Sequence, residues 1–239
     1  MEQGINAIIR RRRKLLLSQS RAIAEPEEIL SYWFPSGINE ADPQTWGQRM
    51  QWWFAGGPQV DKEITERFAP LLEQALRAEL DWWAQTPRGR LALIIVLDQF
   101  SRNIYRDSPL AYAQDSRALE LALSGIEAGM DRDLTFTERI FFRLPLAHSE
   151  DLAIHERIYE QMVREAEEGM DDWPPQLPRH LQEFMLEQAK GTRDVIARFG
   201  RYPHRNEVLG RTSTPEELEY LRTETPVHLR RPPQQGDAL

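Results

Sequence analysis

Apolar positions recur along the chain at intervals of three and four residues, the period of a helix with one buried face. The period-two alternation that is typical of strands is absent, and the connections between apolar stretches are short. The pattern therefore predicts an all-α chain of about ten helices. We expect them at 26–34, 43–54, 58–68, 70–85, 87–104, 109–128, 136–146, 149–168, 178–199 and 215–222.

Capping signals mark where these helices begin and end. Proline fits the first helical position, where the N–H has no partner, and the residue before it caps a free amide. This pattern occurs at Asp42-Pro43, Thr86-Pro87, Ser108-Pro109 and Thr214-Pro215. Thr135 and Glu138 form a capping box, and left-handed helix ends are expected at Gly129, Gly169 and Gly200. Pro70 should kink or split the helical pattern of residues 61–85.

Two predicted helix pairs have the length of helical-hairpin repeats, about 34–45 residues. They are 87–104 with 109–128 and 136–146 with 149–168. A stack of antiparallel hairpins is therefore favoured over a simple bundle. We expect one domain over residues 25–222, a basic extension or first helix over residues 1–24, and a C-terminal tail over residues 223–239 whose low apolar content predicts disorder.

Composition narrows the classes of function. The net charge of −8 and the pI near 5.3 argue against nucleic-acid or membrane binding, because phosphates select basic surfaces. The chain has no cysteine and five scattered histidines, so we expect neither a metal site nor a cofactor. The apolar run after Arg10–Lys14 has only three residues, against the ~7–15 of a signal peptide. A cytoplasmic location fits best.

The first candidate site lies at the end of the most apolar stretch. Residues 91–97 have no polar side at any helical phase, which predicts that the helix is surrounded by protein. Asp98, Gln99, Arg102 and Asn103 follow directly, and buried polar groups need partners. The spacing of Asp98 and Arg102 allows them to pair within one helix. An internally satisfied cap is the interpretation we favour over a ligand site.

Two further polar clusters could meet this one. The segment 199–206 (FGRYPHRN) predicts a helix end and a rigid turn that carries Arg201, His204, Arg205 and Asn206. These side chains could hold a carboxylate or phosphate, or could instead pair with Asp98, Glu150 and Asp151. We favour structural pairing by a small margin.

The remaining cluster is His148 with Glu150 and Asp151. Ser149 is the expected N-cap of helix 149–168, and the two acids fit its first turn. His148 is left without a capping role. It could serve as a general base, although a structural histidine is the more common case.

Aromatic residues are concentrated in the first third of the chain. They include the doublets Trp52-Trp53 and Trp82-Trp83. Core packing explains most of them, and a ligand-stacking surface is the alternative. Neighbouring residues of a helix point about 100° apart, so one ring of each doublet is expected to reach the surface or a groove.

Five motifs in order resemble the bacterial family known as domain of unknown function 924, over about residues 27–221. They are 32–35 (YWFP), 52–54 (WWF), 97–106 (LDQFSRNIYR), 145–152 (PLAHSEDL) and 198–217 (RFGRYPHRNEVLGRTSTPEE). The resemblance implies a TPR-like superhelix and brings no established activity or ligand. Ser101 replaces the proline more usual in the family, which suggests a more regular helix here. Thr192 stands where a histidine is expected, and this favours a structural or binding role.

Two functions remain open from the sequence. The preferred hypothesis is a soluble binding protein in which the polar cluster locks the fold and accepts an anionic small molecule or peptide; a protein partner is also possible. The cluster comprises Asp98, Arg102, Asn103, His148, Glu150, Asp151, Arg201, His204, Arg205 and Asn206. The alternative is a small hydrolase or transferase with His204 or His148 as general base, oriented by Asp98, Glu150 or Asp151. A histidine that is within hydrogen-bond reach of a carboxylate and open to a pocket would favour the enzyme, whereas a histidine buried among paired arginines would favour the binding protein.

Overall fold

The computed structural model describes residues 25–35, 43–167 and 179–224. The secondary structure of these residues is helical throughout, which confirms the prediction of an all-α chain. The basic segment 1–24 and the tail beyond residue 224 lie outside the described residues, as do Asp42 and Gly169. No helix in the described part of the chain is both long enough and apolar enough to cross a membrane.

Ten α-helices are described, and short 3-10 helices and one π-helical turn connect several of them. The α-helices are α1 (Pro26–Trp33), α2 (Pro43–Ala55), α3 (Gly57–Leu76), α4 (Pro87–Ile94), α5 (Ser101–Ile104), α6 (Asp115–Glu127), α7 (Phe136–Ala147), α8 (Leu152–Glu167), α9 (Arg179–Phe199) and α10 (Pro215–Thr223). The π-turn (Ile95–Phe100) joins α4 to α5. The 3-10 helices are Asp81–Gln85, Pro109–Tyr112, Met130–Asp133 and Pro203–Arg205.

Several of the predicted capping interactions are present. Thr86 accepts a hydrogen bond from the amide of Gly89, and both bonds of the capping box of Thr135 and Glu138 form. The Thr214-Pro215 start is confirmed and is completed by Glu217, which makes it a second capping box. The glycines at two helix ends take a positive φ, 72° at Gly129 and 65° at Gly200, as the sequence predicted.

Helix α3 is continuous at Pro70, so the alternative in which Pro70 splits the pattern into 58–68 and 70–85 is wrong. Helix α3 runs through Pro70 because that residue is exposed, whereas Phe68 and Leu72 on either side of it are buried in the core. The helix ends where Ala78 takes a positive φ of 62°, and a 3-10 helix occupies the rest of the predicted span.

Two other predicted helices begin later than expected. Residues 109–112 form a 3-10 turn before α6, although Ser108 still caps that turn. Helix α8 begins at Leu152, so Ser149 is not its N-cap. The carboxylate of Asp151 accepts the amide of Ala153 and performs that function, while the hydroxyl of Ser149 accepts the amide of Asp151.

The large core surrounds α4 and the π-turn, against which α1, α3, α6 and α7 pack. Residues 91–97 are all completely buried, as the absence of a polar face predicted. Trp33 lies in this core and contacts the rings of Trp52, Phe100 and Phe141. Most aromatic residues of the first third therefore pack in the core.

Each tryptophan doublet divides between core and surface as expected. Trp53 and Trp83 are buried, Trp52 is half-buried, and Trp82 is 46% exposed. The ring of Trp52 lies under the guanidinium of Arg49, at 3.5 Å.

The π-turn is the irregular element that the sequence did not predict. It ends directly before Ser101, which begins the regular α-helix α5. All six residues of the π-turn are buried, and packing on every side holds the wider turn in place. Single π-turns of this kind occur frequently at functional sites.

Candidate functional site

Asp98 lies inside the π-turn and is 1% exposed. Its Oδ1 accepts from Nη1 of Arg102 at 2.9 Å and is 2.7 Å from Nδ1 of His148. Its Oδ2 accepts from the side-chain amide nitrogen, Nε2, of Gln99. A buried carboxylate is stable only when its oxygens are bonded in this way. The predicted pairing of Asp98 and Arg102 within one helix is present.

His148 follows the last residue of α7 and faces Asp98 from the opposite side. Its side chain is 21% exposed. The ring uses Nδ1 for the contact with Asp98, and its Nε2 makes no hydrogen bond with the described residues. Because Asp98 is an acceptor, the proton lies on Nδ1, and Nε2 keeps a free lone pair.

Charge and burial act on the two groups in different ways. Burial alone would raise the pKa of Asp98, but the positive charge of Arg102 and the hydrogen bond of His148 outweigh it and hold that pKa below its ordinary value. Burial lowers the pKa of His148, and Arg102 lowers it further against the opposing effect of Asp98. At neutral pH the pair is therefore an anionic carboxylate and a neutral imidazole.

Asp115, at the start of α6, joins the two arginines of the site. Its carboxylate lies 2.9 Å from both Nη1 and Nη2 of Arg102, and 3.4 Å from Nη1 of Arg205. The ring of Tyr112 lies beneath both guanidinium groups. Two carboxylates, Asp98 and Asp115, thus balance two arginines, and the cluster of these four residues has no net charge.

Arg205 links this cluster to the backbone that carries His148. It is 6% exposed, and its Nη1 donates to the carbonyl of His148 at 3.0 Å. The Nε of Arg205 is buried and has no hydrogen-bond acceptor in the part of the chain that the structure describes. Burial lowers the pKa of Arg205, and the charge of Arg102 lowers it further.

Glu150 belongs to an adjacent ion pair. Its two oxygens accept from Arg211 at 2.7 and 3.0 Å, and one also accepts the backbone amide of Tyr202 at 2.8 Å. This carboxylate is therefore occupied by protein groups and does not reach His148. Its contacts join the segment before α8 to the turn after α9.

Arg201 and Asn206 meet at a different carboxylate, that of Glu217. The guanidinium of Arg201 lowers the pKa of Glu217 to about 2. Asn206 also donates to Ser213 and accepts from Arg211. At these two positions the turn therefore pairs with Glu217, and not with Asp98, Glu150 or Asp151 as the sequence interpretation expected.

The remaining candidates lie apart from Asp98. Asn103 donates to Asp61 on α3, which also binds Arg106. Asp151 caps α8. The ring of His204 packs against the ring of Tyr202, with centroids 5.3 Å apart.

The structure thus brings four of the predicted residues into one cluster: Asp98, Arg102, His148 and Arg205. Sequence reasoning missed Asp115, Arg211 and Glu217. Glu217 carried a usable signal, since it stands three residues after a capping threonine. Asp115 and Arg211 carried none, because their partners are distant in sequence.

No group of three or more potential metal-ligating side chains occurs within residues 25–35, 43–167 and 179–224. Thr192, which stands where a histidine was expected, donates to carbonyls of its own helix α9. The chemistry available at the cluster is therefore that of a neutral imidazole held by a carboxylate beside two arginines.

Comparison with known proteins agrees with the motifs. Residues 29–225 match the family described as "Bacterial protein of unknown function (DUF924)". The solved structure of ATU0120, a protein of unknown function from Agrobacterium tumefaciens, shares 32% sequence identity and a TM-score of 0.64, covering 82% of this chain and 96% of that one. A search of curated proteins found no match. The match over most of its length shows that the chain belongs to the bacterial DUF924 family.

Proposed function

We propose that the chain is a small hydrolase or transferase in which His148 is the general base and Asp98 orients it. One observation carries this proposal: His148 binds Asp98 through Nδ1 at 2.7 Å, while its Nε2 makes no hydrogen bond with any described residue, on a side chain that is 21% exposed. A general base needs this combination of an oriented ring and an available nitrogen. His204, the other candidate base, packs against Tyr202.

The proton path follows from this geometry. Nε2 takes a proton from water or from a substrate hydroxyl, and the oxygen attacks an electrophilic carbon or phosphorus of the substrate. The resulting imidazolium returns the proton to the leaving group. The carboxylate of Asp98 stabilises the imidazolium and keeps the ring in place.

A panel of carboxylic esters, amides and phosphate esters tests this function. We expect wild type to hydrolyse one class, and His148→Gln to lose about 10²–10⁴-fold in rate. Asp98→Asn should also be slow because it no longer fixes the tautomer. Glu219→Gln, which changes an exposed carboxylate paired only with Arg222, is a matched control and should keep full activity.

A second measurement does not depend on finding the substrate. In ¹⁵N-labelled wild type, the ring nitrogens of His148 should show a protonated Nδ1 and an unprotonated Nε2 at pH 7. A proton on Nε2, or a charged ring at this pH, would falsify the role of His148 as a base.

The second candidate function is the binding of a small anion or of a peptide carboxylate by Arg102 and Arg205. The observation that favours it is the buried Nε of Arg205, which finds no acceptor among the described residues. Thermal-shift titration with phosphate and with short carboxylates tests it. A ligand at 100 times its Kd stabilises by about 2.7 kcal/mol, and Arg205→Lys should abolish that gain. An unchanged gain in the variant excludes this site.

The TPR-like arrangement belongs to the same proposal. The packing of α8 against α9, and of α6 against α7, supports stacked hairpins. A constant rotation between successive hairpins in a crystal structure would test it. A cytoplasmic location and a protein partner remain predictions from the sequence.

A further inference from the structure

Three consecutive backbone carbonyls around His148 each accept a hydrogen bond from a side chain. Ala147 accepts from the hydroxyl of Tyr202 at 2.6 Å, His148 from Arg205 at 3.0 Å, and Ser149 from Nε2 of His155 at 2.8 Å. The carbonyls at a helix C-terminus have no partners within the helix. Here the protein supplies a separate donor for each carbonyl of the segment 147–149.

The three donors are themselves fixed. Tyr202, Arg205 and His155 are 5%, 6% and 2% exposed. The ring of Tyr202 lies beneath the guanidinium of Arg205, and the backbone amide of Tyr202 donates to Glu150. A buried donor restricts the position of the carbonyl that it binds more than an exposed donor does, because water does not compete for either group.

His148 and His155 have opposite tautomers, because each ring binds its acceptor through a different nitrogen. His155 bonds to a carbonyl through Nε2, so that nitrogen must carry the proton, whereas His148 bonds to a carboxylate through Nδ1. The hydroxyl of Tyr202 lies 3.4 Å from Nε2 of His155, which places the two donors side by side.

We propose that Tyr202, His155 and Arg205 are positioning residues that hold the segment 147–149 so that Nδ1 of His148 stays on Asp98 and Nε2 stays open. The inference rests on the proposed role of His148 as a base. It assigns a function to the turn after α9 that does not require this turn to touch a substrate. Since Arg205 also contacts Asp115, it joins the backbone of His148 to the cluster of Asp98 and Arg102.

The experiment compares the ring ¹⁵N signals of His148 in wild type, Tyr202→Phe and His155→Ala. In both variants we expect His148 to lose its single tautomer and to show exchange between the two forms. His155→Gln keeps a donor for the carbonyl of Ser149 and should restore the single tautomer. Tyr105→Phe is the matched control, because it removes a hydroxyl that contacts Glu73 on another part of the surface.

The possible results distinguish a failure of the proposed function from a failure of the positioning role. A wild-type His148 that is protonated on Nε2 overturns the proposed function itself. A wild-type Nδ1–H form that persists unchanged in folded Tyr202→Phe and His155→Ala overturns only the positioning role. Loss of the whole fold in both variants, seen by circular dichroism, also overturns it, because the contacts would then stabilise the domain and not one segment.

Discussion

The two ends of the described chain are held together in different ways. Residues 43–146, with α1, share one large apolar core in which seven consecutive residues are inaccessible to solvent. The buried residues of the second core, Val195, Ile196, Tyr202 and Tyr220, are few by comparison. In residues 147–167 and 179–217, arginine–carboxylate pairs such as Arg201–Glu217 and Arg211–Glu150 join the elements in addition to apolar contacts.

This difference bears on the site. Apolar burial is non-directional, so the large core fixes where α4 and α7 lie without choosing an orientation for a polar side chain. Hydrogen bonds and ion pairs depend on angle and distance. His148 lies between the two regions. Its partner Asp98 belongs to the apolar region, and the backbone of His148 is bound by residues of the polar region.

The largest expected effect tests the apolar region. Phe142 is completely buried between α6 and α7, so Phe142→Ala should cost about 3–5 kcal/mol of unfolding free energy through lost burial and a cavity. Urea denaturation measures this loss. Leu110→Ala is the control; the side chain is 53% exposed, and the change should be within about 0.5 kcal/mol. Equal effects would contradict the assignment of the core.

The matching change in the polar region is Glu217→Gln. Glu217 is 2% exposed and accepts from Arg201, Asn206 and the amide of Thr214, so losing its charge should cost about 2–3 kcal/mol. Glu219→Gln is exposed and should cost less than about 1 kcal/mol. Comparable losses in the two variants would show that the ion pairs of this region contribute little.

Acid should weaken the polar region through the same carboxylate. Arg201 lowers the pKa of Glu217 from 4.5 to about 2, so its contribution is complete above pH 4.5 and is lost as the pH falls towards 2. Denaturation series between pH 5 and 2 should therefore be flatter in Glu217→Gln than in wild type. An identical slope in both proteins would contradict the effect of Arg201.

Tyr202→Phe should have a smaller effect, about 1 kcal/mol, because it leaves one carbonyl of the segment 147–149 without its donor. Tyr105→Phe removes a bond that water can replace and should be nearly neutral. The urea concentrations at the unfolding midpoints of the two variants measure this difference in stability.

The smallest effect concerns the histidines near neutral pH. Burial lowers the pKa of His148 and of His155, so the unfolded chain binds more protons than the folded chain just below pH 6.5. Their contribution is present above pH 6.5 and is lost as the pH falls through the folded pKa values. The hydrolysis proposed for His148 should keep its full rate below pH 6.5 until the lowered pKa of His148 is reached. If the rate instead falls with decreasing pH around a pKa above 6.5, burial does not lower the pKa of His148 as described.

The sequence alone determined the elements whose causes are local. The buried stretch 91–97 was evident because no helical phase exposes a polar residue there. The starts at Thr86, Thr135 and Thr214 were evident because a cap and its partner amide are only a few residues apart. The pairing of Asp98 with Arg102 followed from a spacing of four residues.

Tertiary structure decided what depends on residues far apart in the chain. The continuation of α3 through Pro70 and the π-turn before Ser101 depend on which faces are buried, since packing can stabilise a backbone that local propensity disfavours. The contact of His148 with Asp98, and the contacts of Asp115, Arg211 and the three carbonyl donors, form only after the helices pack. The sequence identified the polar groups that needed partners, and only the fold determined which partner each group received.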